Sequence, residues 1–400
     1  MTLAIELYRS VPRYVAARAV GDRLPGLLAG PLAPLRLVNR EDPGVPAEGW
    51  GRVRPHLAGI CGSDLATIGG RTSFYFSPLV SMPFVPGHEV VGELLDDVDG
   101  LSAGTRVVLD PVLSCAARGV DPCPSCRSGL AGRCDRVTMG HVSPGLQTGF
   151  CADTGGGWSG LMVAHRSQLH PVPDALPDTR AVLVEPLACG IHAALRADPD
   201  AGASVLVVGA GTLGLFTLLA LREFTQAGRI TVVAKHRRQK EQAARFGATE
   251  VVGPEEAIGS LRRSSRALRF KPERGREFLL GGVDRAVDCV GSKGSLELAL
   301  RTTRAGGRVA LAGLPVAGAD LAPVWFRELE VVGAYTTGIE RVNGTERHAF
   351  ELAIELAAAA PLEDLVGATY GLSWWRRALD HAFDSGRLGT FKVAFDPRER

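Results

Sequence analysis

The hydrophobic and polar positions fall into stretches of different rhythm. Residues 1–60 carry short apolar runs broken by Gly and Pro, and they predict short strands and turns, with Trp50-Gly51-Arg52-Val53-Arg54-Pro55 leading into a loop at Cys61. The run from Leu24 to Leu35 contains Pro25, Pro31 and Pro34 and reads as loop-rich. Val90–Leu95 and Thr105–Leu109 flank an Asp/Gly-rich turn and predict a β-hairpin. Residues 111–160 are rich in Gly, Pro and Cys, which predicts a lobe held by something other than an apolar core.

After Pro186 the rhythm changes. Leu187–Ala197 reads as a helix and Ser204–Val208 as a short buried strand running into Gly209-Ala210-Gly211-Thr212-Leu213-Gly214. A long apolar helix from Leu213 to Phe224 follows. Strands at Ile230–Val233, Glu250–Val252, Arg285–Cys289 and Arg308–Ala312 then alternate with helices near Gln239–Phe246 and Ser295–Thr303. Such alternation predicts an α/β unit with a doubly wound parallel sheet. The Arg-rich stretch 262–276 reads as a solvated helix or loop, and the chain from about 336 onward as a return to the first domain.

Composition narrows the class. Four hundred residues, 46% hydrophobic and 22% charged, describe a globular chain with two cores rather than a disordered or membrane protein. A net charge of +2 gives no reason to invoke nucleic acid. The Leu24–Leu35 run falls short of the ~20 residues that span a bilayer and begins too late for a signal peptide, so a cytoplasmic location is expected. Four of the eight cysteines crowd between Cys115 and Cys134, which suits metal binding in a reducing compartment better than a disulfide framework.

Three constellations carry chemistry. Gly209, Gly211 and Gly214 follow a strand and open a helix, the context in which this spacing admits a dinucleotide pyrophosphate. Cys115, Cys123, Cys126 and Cys134 offer four thiolates for a closed structural zinc. Cys61, His88, Glu89 and Glu185 offer a mixed set suited to an open, catalytic zinc. Asp64 is placed to orient the ring of His88, and Ser63 to hydrogen-bond a substrate oxygen and pass on its proton. Cys151, Cys189 and Cys289 fit neither metal set and read as packing residues.

Taken in order, Gly59-Ile60-Cys61-Gly62-Ser63-Asp64, Gly87-His88-Glu89, the cysteine lobe, Glu185-Pro186-Leu187-Ala188, the glycine fingerprint and Asp288-Cys289-Val290-Gly291 resemble the zinc-dependent medium-chain dehydrogenases, in the branch of polyol and threonine dehydrogenases. The resemblance covers nearly the whole chain. It implies a GroES-like, mainly β catalytic domain from residues 1–186 and 336–400, with its zinc lobe at about 111–136 and an inserted Rossmann domain at 187–335. It also implies reversible oxidation of an alcohol to a ketone or aldehyde with NADP(H) or NAD(H), and assembly as a homodimer or homotetramer through a strand near Leu329–Tyr335. Thr212, Leu213, Val290, Ala312, Gly313 and Leu314 would lie along the cofactor, Lys392 would approach its pyrophosphate, and Glu89 would be a ligand or catalytic carboxylate.

Three departures stand out. Seven residues separate Cys115 from Cys123 where the family pattern has two, and Ala66 occupies the position of a proton-relay histidine. The acidic residue that binds an adenosine ribose is replaced by Ala234, followed by Lys235-His236-Arg237-Arg238; this predicts a preference for NADP(H). The rival readings are a biosynthetic carbonyl, enone or imine reductase, and a non-catalytic NADPH-binding protein on the same fold.

Overall fold

The structure is a computed structural model that describes residues 1–400 apart from Asp22, Arg23, Val316 and Arg400. The chain divides into two compact units. One comprises Met1–Glu185, Thr337–Ile339 and Phe350–Arg400, and the other Pro186–Thr336 and Glu340–Ala349. The expected partition returned the chain to the first domain at 336. Instead residues 340–349, including most of a hairpin formed by Ile339–Val342 and Thr345–His348, group with the second unit.

The first unit is built on a seven-stranded sheet. Its path runs Val366–Tyr370, Lys392–Phe395, Trp50–Gly59, Val90–Leu94, Arg106–Leu109 and Leu169–Pro171, with Met162–His165 paired to the front of Trp50–Gly59. The strand Trp50–Gly59 is central because its stretch from Val53 to Ala58 pairs with Val90–Leu94 while Ala58 and Gly59 pair with Phe395 and Ala394. The core on this sheet includes the fully buried Trp158 and Phe395, whose rings meet at 5.1 Å.

Two expectations for this unit need correction. Val11–Val20 is a helix rather than strand and turn. Proline in its first turn costs no helical hydrogen bond. Tyr14 packs on Phe74 at 5.2 Å and Arg18 Nη1 donates to the Gly70 carbonyl at 2.9 Å, so long-range contacts stabilise a segment of weak local pattern. The lobe also has a small core of its own, since Trp50, Leu113, Ala117, Val142, Cys151 and Val163 pack together out of water.

The second unit carries a six-stranded parallel sheet in the order Glu250–Val252, Ile230–Val233, Val205–Val208, Val283–Asp288, Thr303–Leu311, Glu330–Gly333. Val205–Val208 and Ile230–Val233 are buried at every residue, as a sheet covered on both faces requires. The chain order reverses beside Val205–Val208, where an open α/β sheet offers its ligand crevice. The Arg-rich stretch resolves into a helix, Ala257–Ser265, and a hairpin of Leu268–Phe270 with Phe278–Leu280. No helix among the described residues is long and apolar enough to cross a membrane.

Asp284 ties three neighbouring strands at one end of this sheet. Its carboxylate accepts from Ser204 N (2.8 Å) and Ser204 Oγ (2.6 Å), and from Arg304 Nε at 2.6 Å. Burial alone would raise its pKa, but the Ser204 and Arg304 hydrogen bonds more than reverse this and hold it at about 2. A folded-state value below the unfolded one stabilises the fold above about pH 4 and loses that contribution as pH falls toward 2. Asp284→Asn is therefore expected to lower the urea midpoint at pH 7, with the deficit shrinking below about pH 4 and vanishing only below about pH 2; a deficit that stays constant with pH would contradict this.

Candidate active site

The first metal constellation is assembled by two strand ends. Gly59 N donates to the Glu89 carbonyl at 2.8 Å and Ile60 N to the Val393 carbonyl at 2.9 Å, which fixes the loop that leads to Cys61. Cys61 then caps a short helix, Gly62–Ile68, and its own N–H donates to Asp64 Oδ2 at 2.9 Å. Gly87, at φ +96°, turns the chain beside the Trp158 indole so that His88 and Glu89 enter the strand Val90–Leu94 from its mouth. A Cβ at Gly59 would overlap Glu89 Oε2, so this glycine seats the carboxylate.

Cys61 Sγ, a ring nitrogen of His88 and a carboxylate oxygen of Glu89 lie within 4.8 Å of one another. Asp64 Oδ1 stands 3.5 Å from His88 Nδ1. A carboxylate facing Nδ1 favours a proton there and leaves Nε2 as the nitrogen with a lone pair for a metal. Burial opposes charge on His88, but Asp64 and Cys61 outweigh it and raise its pKa well above the ordinary range. These anionic surroundings suit a divalent cation, and one thiolate, one imidazole and one carboxylate form an open zinc set.

Glu185, which the sequence groups with this set, lies outside the mutual 4.8 Å cluster, although it is buried and its charge acts on Lys392. Lys392 requires a correction. It is 3% exposed and its Nζ binds Glu89 Oε1 and Oε2 at 2.6 and 2.5 Å, which directs it to the carboxylate instead of a pyrophosphate. Burial disfavours its charge, while Glu89, Cys61 and Glu185 more than compensate and raise its pKa. Phe150, which no sequence signal marked, packs its ring 5.9 Å from that of His88. Ser63 sits half-buried in the first turn of its helix, with no hydrogen bond to its hydroxyl among the described residues.

In the lobe, the sulfurs of Cys115, Cys123, Cys126 and Cys134 also lie within 4.8 Å of one another, Cys115 and Cys134 at 3.5 Å. Tetrahedral zinc with bonds of about 2.3 Å sets its sulfurs about 3.8 Å apart, so the set fits. Backbone N–H groups of Cys123 and Arg136 point at the sulfurs of Cys115 and Cys134, at 3.3 and 3.4 Å. The N–H of Asp135 helps lower Cys123 to about 6, whereas burial pushes Cys134 up.

The nucleotide loop lies in the second unit. Gly209 has φ +101°, a Cβ at Gly214 would overlap the Gly209 carbonyl, and Gly211 caps the helix Thr212–Phe224. A Cβ at Gly211 would meet nothing, which leaves the approach to that helix end open. Thr212 and Leu213 form its first turn. Asp288 Oδ1 accepts from Val290 N and Gly291 N, while its carbonyl accepts from Ala312 N and Gly313 N at 3.0 and 2.7 Å. This brings Val290 beside Ala312, Gly313 and Leu314, at the ends of adjacent strands. Ala234 ends its strand buried, Lys235 beyond it is exposed, and Arg237 and Arg238 open the helix Arg237–Arg245.

A thiolate–imidazole–carboxylate site on one unit and a glycine-rich dinucleotide loop on the other define a metal- and nucleotide-dependent oxidoreductase. Residues 47–174 match the alcohol dehydrogenase GroES-like domain and residues 212–359 the zinc-binding dehydrogenase domain. The chain is 29% identical to L-idonate 5-dehydrogenase of Vitis vinifera over 86% of its length and 87% of that protein. It is 29% identical to sorbitol dehydrogenase of Arabidopsis thaliana over 86% and 88%. The fold is that of 2R,3R-butanediol dehydrogenase from Bacillus subtilis, at TM-score 0.69 and 21% identity over 91% and 96% of the two chains. The chain belongs to the zinc-dependent medium-chain dehydrogenases, which interconvert alcohols and carbonyls by hydride exchange with NAD(P).

Two variants test the seat of Glu89. Lys392→Met leaves a buried carboxylate without its cation and should destabilise the protein by about 3–5 kcal/mol, read by urea denaturation; a loss under about 1 kcal/mol would contradict a strong pair. Gly59→Ala should expel the Glu89 carboxylate and lower zinc retention at the first site, and unchanged zinc content after dialysis against weak chelator would count against it.

Proposed function

We propose that the enzyme oxidises a secondary hydroxyl of a small polyhydroxy compound, a polyol or sugar acid, with NADP⁺ as its preferred acceptor. The reading is carried by the cluster of Cys61, His88 and Glu89, and the substrate class is suggested by the idonate and sorbitol dehydrogenases that share most of its length. Zinc, when bound, supplies positive charge to the substrate oxygen, and the dinucleotide supplies the hydride acceptor.

The chain's own groups do the rest. Cys61 and His88 hold the cation, and Asp64 fixes the ring tautomer of His88. Lys392 pairs with the Glu89 carboxylate, and Glu185 contributes its charge from the start of the helix Val184–Ala197. The free hydroxyl of Ser63 takes the substrate proton. Onward transfer falls to water or a cofactor ribose hydroxyl, since Ala66 offers no group and Thr67 Oγ1 is engaged by the Ser63 carbonyl and by Thr72 Oγ1.

Two zincs per subunit are expected by elemental analysis, with Cys61→Ala and His88→Ala abolishing turnover while dinucleotide binding, read by fluorescence, stays near the parent's. Dehydrogenase assays across polyols and simple alcohols test the substrate class, and faster turnover of simple monohydric alcohols would refute it. Glu89→Gln and Glu185→Ala, compared for zinc affinity and rate, separate direct from indirect ligation; parental activity in Glu185→Ala would remove Glu185 from the site.

The cofactor preference rests on Ala234 and the cations after it. Arg237 is 92% exposed at its side chain and pairs with Glu241, at 3.4 Å, within its own helix. A loss of the acidic residue removes repulsion of a 2′-phosphate, and two charge-assisted hydrogen bonds of ~1.5–3 kcal/mol each favour NADP(H) by ~10²- to 10⁴-fold. A Lys235→Ala, Arg237→Ala double variant should lose kcat/KM for NADP(H) selectively. A wild-type ratio near one, or one favouring NAD, would refute the preference. The exposed edge strand Glu330–Gly333, with Trp325 and Phe326 exposed just before it, supports assembly as a dimer or tetramer. Sedimentation at micromolar concentration tests this, and a monomer would overturn it.

A further inference from the structure

The strands Thr2–Leu7 and Leu35–Arg40 pair antiparallel, from Thr2 opposite Arg40 to Leu7 opposite Leu35. Such a hairpin closes with about two to five residues, yet residues 8–34 intervene here, ahead of the matched GroES-like domain. They include the helix Val11–Val20 and a 3-10 turn, Pro25–Ala29, which packs against the helix Trp375–Phe383. Ala29, Ala33, Leu35 and Trp375 share one buried core, so the insertion is fixed against that helix. Between the two opens a cleft of about 710 Å³, a size that suits a small molecule.

Three arginines line the cleft, Arg13, Arg36 and Arg376, and no acidic residue among the described residues does. Arg13 Nη1 donates to the Ala33 carbonyl at 2.7 Å, and its guanidinium stands 5.9 Å from the centre of the Tyr8 ring. That of Arg36 stands 5.2 Å from the same ring. The Arg376 guanidinium lies 4.4 Å from the ring of the buried Trp375 and has no hydrogen bond or ion pair among the described residues. Carbonyls and rings hold a guanidinium in place without cancelling its charge. Of the three, only Arg36 meets a carboxylate: its Nε and Nη2 donate to Glu6 Oε1 at 2.8 and 2.5 Å, and Glu6 Oε2 also faces Arg40 Nη1 at 3.9 Å. One carboxylate thus serves two arginines, while Arg13 and Arg376 have no counter-charge.

We propose that this cleft binds a small organic phosphate, its phosphate monoester held by the arginines and its organic part resting on Tyr8 and Leu37, which also line the cleft. A phosphate monoester carries a charge of about −1.5 to −2 at neutral pH, which matches two guanidiniums without counter-charge, and the arginine fork fits its oxygens. The rings and carbonyls that position the arginines before any ligand arrives lower the cost of ordering them around it. None of these residues belongs to the metal or nucleotide sites, so the binding is additional to the dehydrogenase chemistry and stands apart from how that chemistry is read.

Isothermal titration of the full-length, zinc-loaded enzyme tests this, with phenyl phosphate as the probe because it carries no alcohol to oxidise. The parent is expected to bind it saturably with a Kd below about 1 mM. Arg13→Gln and Arg376→Gln should each weaken binding by ~10–100-fold, the worth of one charge-assisted hydrogen bond. Arg377→Gln is the control, since Arg377 loses the same charge from the same helix but stacks on Trp374, at 4.6 Å, and does not line the cleft; it should bind as the parent does. Arg376→Gln removes no hydrogen bond or ion pair and decides the matter should Arg13→Gln fail to fold. No saturable binding, binding that survives both variants, or an equal loss in Arg377→Gln would each overturn the site. Succinate binding as tightly as phenyl phosphate would overturn the assignment to a phosphate, and inorganic phosphate binding as tightly would overturn the assignment to an ester.

Discussion

A buried ion pair organises the catalytic unit. Glu89 is 1% exposed, and a lone charge at that depth is costly unless it is paired. Lys392 resolves this from 303 positions further along the chain. The strand that carries it, Lys392–Phe395, therefore has to lie in the same sheet as Val90–Leu94, and it does so through Trp50–Gly59 between them. The same central strand ends at Gly59, whose missing side chain admits the carboxylate, and two residues later comes Cys61. One electrostatic requirement thus fixes the return of the C-terminal segment and the meeting of Cys61, His88 and Glu89.

The lobe faces a related problem of the same sign. Its four sulfurs concentrate negative charge in a small volume whose own core amounts to little more than Trp50 and five smaller residues. Backbone N–H groups of Cys123 and Arg136 point at two of the sulfurs, and the buried Arg118 ties the turn after Cys115 to carbonyls of Met139, Val142, Ser143 and Gly145.

The nucleotide unit needs no such device, because its requirements are met by backbone geometry. Gly209 adopts a positive φ, Gly214 lies against the Gly209 carbonyl, and the helix end at Thr212 stays open. These features depend on glycines at three positions within one turn, and on buried strands of Val and Ile. All of that is local, and accordingly it was legible in the sequence together with the alternation of strand and helix.

Short-range chemistry along the chain specifies the parallel-sheet unit, the glycine turn, the hairpin after Glu89, and two groups of ligands of different character. The cysteine cluster and the His-Glu pair were readable because ligand type and spacing are properties of the chain alone. Tertiary structure decided the rest. The helix Val11–Val20 depends on Tyr14 meeting Phe74, the hairpin after Thr337 joined the unit that its position in the chain did not suggest, and Lys392 turned to Glu89. Nothing in the sequence distinguishes Arg118 from the other arginines. Its burial becomes visible only where carbonyls from residues 113 and 139–145 converge on it, because burial is set by everything that surrounds a side chain and not by its neighbours in sequence.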